Sequence, residues 1–324
     1  MLVEEYPPVL DLNKLKEEMN LTDEAIQNSA FSPADLQTIY ADYLERFKAL
    51  EQLKDKFVSN HIVAARGIHL HSYSGRVKHP YHLIEKIIRK RSTNDPKYRS
   101  MTTADYYKYI TDLIGCRILL VYKEDWKPIH DYLIGIFPQR NYIDENDYAK
   151  SYDNAPKPPF IAEPPVAHMR LGDAEIYPAN DLEVKRDRYY RSLHYIVRYE
   201  EYYIEIQVRT LFEEAWGEVD HDVLYPYYKD DPVLVNFSKL INRAAGMSDE
   251  MSAYFRTELS KERPHRNGVL LDVPVSVPRS SDLATVSSCS SASAPPQSGA
   301  SLSLKSGNSS GQDILNSLLY KNEV

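Results

Sequence analysis

Between Arg188 and Tyr225 the chain reads RYYRSLHYIVRYEEYYIEIQVRTLFEEAWGEVDHDVLY, within which Ser192 and His194, and then Glu205, Gln207 and Arg209, stand at alternate positions. Ser192 to Tyr199 and Tyr202 to Arg209 both alternate with period two and are separated only by Glu200-Glu201, which predicts an antiparallel hairpin. A two-residue turn sets His194 opposite Gln207 and Ser192 opposite Arg209, so that His194, Glu205, Gln207 and Arg209 share one face. Glu-Glu is not a preferred turn, and a slip of one residue would send every side chain to the other face. In the predicted register a carboxylate, an imidazole, an amide and a guanidinium stand in one row. That is poor surface decoration and marks a site.

A second set of reactive groups lies upstream. Arg76 and Lys78 share parity at the end of a strand, and Lys86 follows one turn into the next helix. A run of charge is more often a solvated face, but three cations at a strand–loop–helix junction beside a helix N-terminus make a cradle for polyphosphate. Asp112 stands at the start of a buried strand predicted over Ile110 to Tyr122, where an aspartate is commonly a cap. With Glu205 it forms a pair of strand carboxylates able to hold Mg2+, which takes one or two carboxylates together with phosphate oxygens. Cations, a metal and a carboxylate near an attacking hydroxyl are the requirements of phosphoryl-type transfer. Tyr190 offers a ring for a base. No Walker A loop or dinucleotide fingerprint is present.

The elements that must position these groups follow from periodicity. Short helices are predicted around Leu12 to Met19 and Asp23 to Ser29, and Ser32-Pro33 opens a long helix with apolar residues from Leu36 to Phe57 on one side. A strand within residues 62 to 78 ends in a turn at Gly75, followed by the helix YHLIEKIIRKR, and a helix runs from Trp126 to Phe137. Residues 138–188 show little periodicity and read as a long insertion or loop. Thr210 and Glu213 form a capping box for the helix after the hairpin, and Pro232 to Glu262 is helical. The division is a helical N-terminal extension over 1–60, a main domain over 61–262, and a Ser/Pro-rich disordered tail over 263–324 with an amphipathic motif, DILNSLLYKNEV, at its end.

With 324 residues and a formal charge of -8, the chain is large enough for one good domain plus extensions and is not a globally basic nucleic-acid coat. Two distant cysteines exclude a disulfide framework. The absence of a signal-like N-terminus and of any long apolar run predicts a cytoplasmic protein with no membrane partner.

GRVKHPYHLIEKI, ITDLIGCRILL, YYRSLHYIV, YIEIQVRTL and AWGEVDHDVLY occur in this order, and over about residues 60 to 230 the chain resembles the synthetase domain of the RelA/SpoT family. These are ATP-dependent pyrophosphokinases that make guanosine alarmones. The resemblance implies an α/β fold, a nucleotidyltransferase-like mixed sheet flanked by helices. It also implies transfer of the pyrophosphoryl group of ATP to the 3'-hydroxyl of GDP or GTP. Carried over, Arg76 meets the adenine, Lys78 and Lys86 the ATP phosphates, Asp112 and Glu205 hold Mg2+, and Glu205 accepts the hydroxyl proton. Tyr190 stacks on the acceptor base, while His194, Gln207 and Arg209 line its pocket. Glu218 and His221 brace the site from the last motif helix.

Three departures stand out: His82 replaces the usual Ser of the donor-binding loop, Tyr189 replaces a Gly, and EVKRDRYY replaces a lysine-rich acceptor segment. They favour, as the alternative, a toxin-type synthetase that pyrophosphorylates the 3' end of tRNA or an adenosine nucleotide. The basic run through Arg99 suits such a phosphate backbone, and a toxin would bring a neutralising antitoxin or other regulatory partner. A second copy of the chain is a further expected partner. A catalytically silent nucleotide-binding module is a third reading, against which the paired Asp112 and Glu205 speak. The hydrolase domain of long family members is not inferred.

Overall fold

Apolar side chains at three- and four-residue spacing make the first third helical. The computed structural model describes residues 6–262 apart from position 94 and the stretches 140–151, 154–157, 171–176, 178–181, 188–189 and 225–230. Helices α1 (Leu12–Met19), α2 (Asp23–Asn28) and α3 (Pro33–Phe57) occupy the predicted segments. A reciprocal capping box opens α3: the Asp35 amide donates to Ser32 Oγ at 3.2 Å and the Ser32 amide to Asp35 Oδ2 at 2.9 Å. Its inner face, including Leu36, Ile39, Tyr43, Leu50 and Phe57, is buried in the same core as the strands.

After α3 the chain passes through helical turns at Val58–Ile62 and Val63–Gly67 and only then enters β1 (Ser72–Val77). Gly75 is therefore not a turn, as the sequence suggested; it lies inside the strand, paired with Cys116. A Cβ there would meet Val58 Cγ2 at 3.0 Å and Lys54 Cγ at 3.3 Å, so the missing side chain lets the end of α3 lie directly on β1. Helices α4 (Pro80–Ser92) and α5 (Pro96–Arg99) follow, then β2 (Ile114–Leu120) and α6 (Trp126–Ile136). β2 is shorter than predicted because Ile110 belongs to a preceding turn, its amide donating to the Tyr106 carbonyl at 3.1 Å. Asp112 stands between that turn and the strand.

The stretch 138–188 is not a plain loop. It contributes β3 (Phe160–Ile161), β4 (Val166–Arg170) and β5 (Glu183–Asp187). These strands escape pattern reading because two of their features remove the usual signals. β4 buries Ala167, Met169 and Arg170 without clean alternation, and β5 runs parallel to β4, so no hairpin turn joins them.

The central hairpin, β6 (Ser192–Tyr199) and β7 (Tyr202–Thr210), has the predicted register: Tyr199 pairs with Tyr202 across the two-residue turn and His194 with Gln207. Glu200 takes φ 53°, the left-handed conformation that tight hairpin turns require. Helices α7 (Leu211–Leu224) and α8 (Pro232–Glu262) complete the described chain. The capping box predicted at the start of α7 is half formed. The Glu213 amide donates to Thr210 Oγ1 at 3.2 Å, but the Glu213 carboxylate turns to Arg170 instead.

The seven strands form one mixed sheet, ordered β1-β2-β7-β6-β4-β5 with β3 also on β6, and helices flank it. β2 and β7 are parallel, whereas β1–β2 and β6–β7 are antiparallel. Cys116, Ile118, Ile204, Ile206, Tyr195 and Val197 are buried on the core face. No helix among the described residues is long and apolar enough to cross a membrane. The tail and the terminal motif predicted beyond residue 262 lie outside the described residues, as does Tyr189.

One contact ties the helical segment to the site. The buried Tyr43 hydroxyl of α3 donates to the Lys78 carbonyl at 2.7 Å. Tyr43→Phe removes that donor and is expected to lower stability by about 1 kcal/mol, read as a shift of the urea midpoint at constant slope. An unchanged midpoint would show that the tether contributes nothing.

Candidate active site

Cross-strand pairing lays the polar residues out in rows. Arg76 pairs with Gly115 and Gly115 with Glu205; one step along, Ser74 pairs with Arg117, Arg117 with Gln207, and Gln207 with His194. Because paired residues point to the same face, Arg76 and Glu205 flank a position with no side chain. The Arg76 side chain lies over Gly115, where an added Cβ would meet its Cγ and Nε at 3.8 Å.

After β1 and before β2 the chain supplies a charged cluster. Lys78 Nζ and Lys86 Nζ stand 2.9 Å and 2.8 Å from the same Asp112 oxygen, Oδ2, and all three side chains are largely buried. Burial opposes ionisation of Asp112, yet the two ammonium groups outweigh it and bring the carboxyl down to about 2. Burial likewise lowers Lys78, against the pull of Asp112. Asp112 Oδ1 is buried and has no hydrogen-bond partner among the described residues. A buried carboxylate oxygen without a hydrogen-bond partner suits a hard cation. Burial raises the Glu205 carboxyl and Asp112 repels it, but the facing His194 leaves it net lowered, so it is ionised. Among the described residues no group of three or more His, Cys, Asp or Glu is arranged to hold a metal.

On the sheet, five side chains close a ring. The Tyr190 hydroxyl meets His194 Nε2 at 2.9 Å, and His194 Nδ1 faces Glu205 Oε1 at 3.5 Å. Gln207 Nε2 donates to Glu205 Oε2 at 2.7 Å; Arg209 Nη2 donates to Gln207 Oε1 and, at 2.8 Å, back to the Tyr190 hydroxyl. The ring fixes the direction in which the Glu205 carboxylate is presented. The Tyr190 ring is enclosed, with His168, His194 and Trp216 around it and the Arg209 guanidinium 5.3 Å from its centroid.

Helix α7 lies over this face. Arg117 Nη1 donates to Glu214 at 2.6 Å and also to Glu218, while Arg209 Nη1 donates to Glu214 at 3.0 Å. Glu218 thus meets Arg117, and the His221 ring stands 6.3 Å from that of His82 on α4. Burial, with the charges of His79 and Lys78, pushes His82 down to about 4, so it adds no positive charge to the lysine cluster at neutral pH.

The residues singled out from sequence as ligands or catalysts therefore fall in two groups: Arg76, Lys78, His82, Lys86 and Asp112, and Tyr190, His194, Glu205, Gln207 and Arg209. Sequence reasoning assigned no role to Arg117, Glu214 or His168. The four-residue spacing of Glu214 and Glu218 put both on one helix face and was the available signal. For His168, in an aperiodic stretch, there was none. Of the basic run, Arg89 pairs with Glu85 at 2.8 Å, Lys97 with Glu163 at 2.9 Å, and Arg91 donates to backbone carbonyls.

Residues 75–230 match the family model described as a region found in RelA / SpoT proteins. None of the curated proteins matches the chain. Similar solved structures include small alarmone synthetase 1 from Bacillus subtilis, 22% identical over 68% of this chain and 99% of that one with a TM-score of 0.44. The same synthetase bound to its product pppGpp is 19% identical over 67% and 96%, TM-score 0.44. A GTP pyrophosphokinase family protein from Streptococcus pneumoniae is 19% identical over 68% and 95%, TM-score 0.43.

Proposed function

The chain carries a RelA/SpoT domain over residues 75–230, and from that premise we propose that it transfers the pyrophosphoryl group of ATP to the 3'-hydroxyl of GDP or GTP, releasing AMP and a (p)ppGpp-type alarmone. The observation that carries the reading is Asp112, held by two lysines through one oxygen while the other is buried without a partner. Each ammonium has three N–H groups and uses one on Asp112, so both keep donors for donor phosphates. Arg76, exposed and lying over Gly115, meets the adenine in this reading. Asp112 and Glu205 would hold Mg2+, which when bound supplies positive charge to the polyphosphate.

Glu205 is ionised and oriented by Gln207 and His194, as a base for the attacking hydroxyl must be. Tyr190 takes the acceptor base by turning its ring out of its enclosure, and Arg209, which holds the phenol, governs that movement. Arg209→Lys keeps the charge but not the fork that reaches Tyr190, Gln207 and Glu214 together. It is expected to raise the acceptor KM about tenfold, roughly 1.4 kcal/mol, with the ATP KM unchanged. Equal changes in both would detach Arg209 from the acceptor.

The tRNA-modifying alternative drew on the basic run through Arg99. With Arg89, Arg91 and Lys97 engaged in internal contacts, that support weakens. Offering GDP, GTP, adenosine nucleotides and deacylated tRNA side by side with ATP and Mg2+ tests the reading. Product on the guanosine nucleotides is expected; product on tRNA alone would replace it with the toxin activity.

A further inference from the structure

Helix α8 begins after the residues that the family model matches, yet its buried face reaches into the candidate site. Ser238, Asn242, Ala245 and Asp249 recur at four- and three-residue spacing and are all buried, which defines the docked side of the helix. Two of them hold residues that flank Tyr190. Asp249 Oδ2 accepts from Arg191 Nη1 at 3.1 Å and from Thr210 Oγ1 at 3.0 Å, and Arg191 and Thr210 are the sequence neighbours of Tyr190 and Arg209. Ser238 Oγ accepts from Trp216 Nε1 at 3.1 Å, and the centroid of a Trp216 ring stands 6.5 Å from that of Tyr190.

A buried carboxylate that only fastened α8 to the sheet could take its partners anywhere along the strands. Here both partners of Asp249 sit one residue from two side chains that bond each other, the Arg209 guanidinium donating to the Tyr190 hydroxyl at 2.8 Å. Pairing of β6 with β7 starts at Leu193 and Val208, so the ladder between them does not reach Tyr190. Thr210 also caps α7, whose Glu214 accepts from Arg209. The carboxylate that takes the Thr210 hydroxyl proton therefore orients the cap of the helix that holds the guanidinium. We propose, on the reading that Tyr190 and Arg209 serve the guanosine acceptor, that Asp249 is a positioning residue for that site: from outside the matched domain it holds Arg191 and Thr210 to one oxygen and so fixes where Tyr190 and Arg209 are presented to the acceptor base. Ser238 supports the same ring through Trp216.

Calorimetric titration of the full chain with GDP, and separately with a non-hydrolysable ATP analogue, tests this. Asp249→Asn keeps the shape of the side chain and leaves Arg191 Nη2 beside Glu250 at 3.7 Å. It is expected to weaken GDP binding at least about tenfold, within the roughly hundredfold that a misplacement of about 1 Å can cost, with the ATP analogue bound as by wild type and circular dichroism unchanged. A second pair of variants reads the same link without touching the buried charges. Thr210→Val removes the hydroxyl and is expected to weaken GDP binding about fivefold, as the loss of one hydrogen bond does, whereas Thr210→Ser keeps the hydroxyl and the wild-type affinity. Equal weakening toward both nucleotides would overturn the proposal, as would wild-type GDP affinity in a folded Asp249→Asn or in Thr210→Val, or a Thr210→Ser no better than Thr210→Val. A wild-type chain that does not bind GDP would overturn the acceptor reading itself, and the proposal with it; a wild type that binds GDP, beside variants that bind it equally well, overturns the proposal alone.

Discussion

Glu205→Gln is expected to lower kcat/KM for pyrophosphoryl transfer by at least about 1,000-fold, within the range that a positioned base contributes, while the protein stays folded. The substitution is nearly isosteric. An amide at 205 can still meet Gln207 and His194, so the ring through Tyr190 and Arg209 has partners to close on. What is lost is the negative charge, which His194 holds in place despite burial and the opposing charge of Asp112. The stability change is expected to stay within about 1 kcal/mol, the worth of one hydrogen bond. Retained turnover in a folded variant would remove Glu205 from the chemistry.

The second large effect belongs to Asp112→Asn. Two largely buried ammonium groups then face a neutral amide, and breaking a buried ion pair from one side costs about 3 kcal/mol. Activity is expected to fall by about 1,000-fold as well, because both donor-side lysines lose the group that positions them. The pH dependence separates this from a generic packing defect. The Asp112 carboxyl is depressed from 3.8 to about 2, so its stabilisation is complete above pH 4 and fades as pH falls toward 2. The stability gap between wild type and Asp112→Asn, measured by denaturant titration, is therefore expected to be full at pH 7 and smaller at pH 3. An equal gap at both values would contradict the assignment.

What could be read from sequence depended on how local the signal was. The His194–Gln207 register was legible because two alternating runs stood two residues apart, although Glu200 had to adopt a left-handed conformation to make the turn. The cradle of Arg76, Lys78 and Lys86 was legible as types and placement, but not the convergence of both lysines on one oxygen of Asp112, which is a tertiary distance. Gly75 misled because a glycine that signals a turn in isolation here accommodates a helix pressed against its strand. The strands of 160–187 were hidden by short length and, for β4 and β5, parallel pairing, and His168 with them. Tyr190 was legible as a ring for stacking on a base, but its enclosure by residues from β4, β6 and α7 was not.

The central claim is that both distal phosphates of ATP move together. Incubating the purified chain with ATP labelled at the β-phosphorus, Mg2+ and GDP locates the label directly. Label is expected on the 3' position of the guanosine nucleotide, with one AMP released per product. ADP as the released nucleotide, with no label transferred, would contradict it.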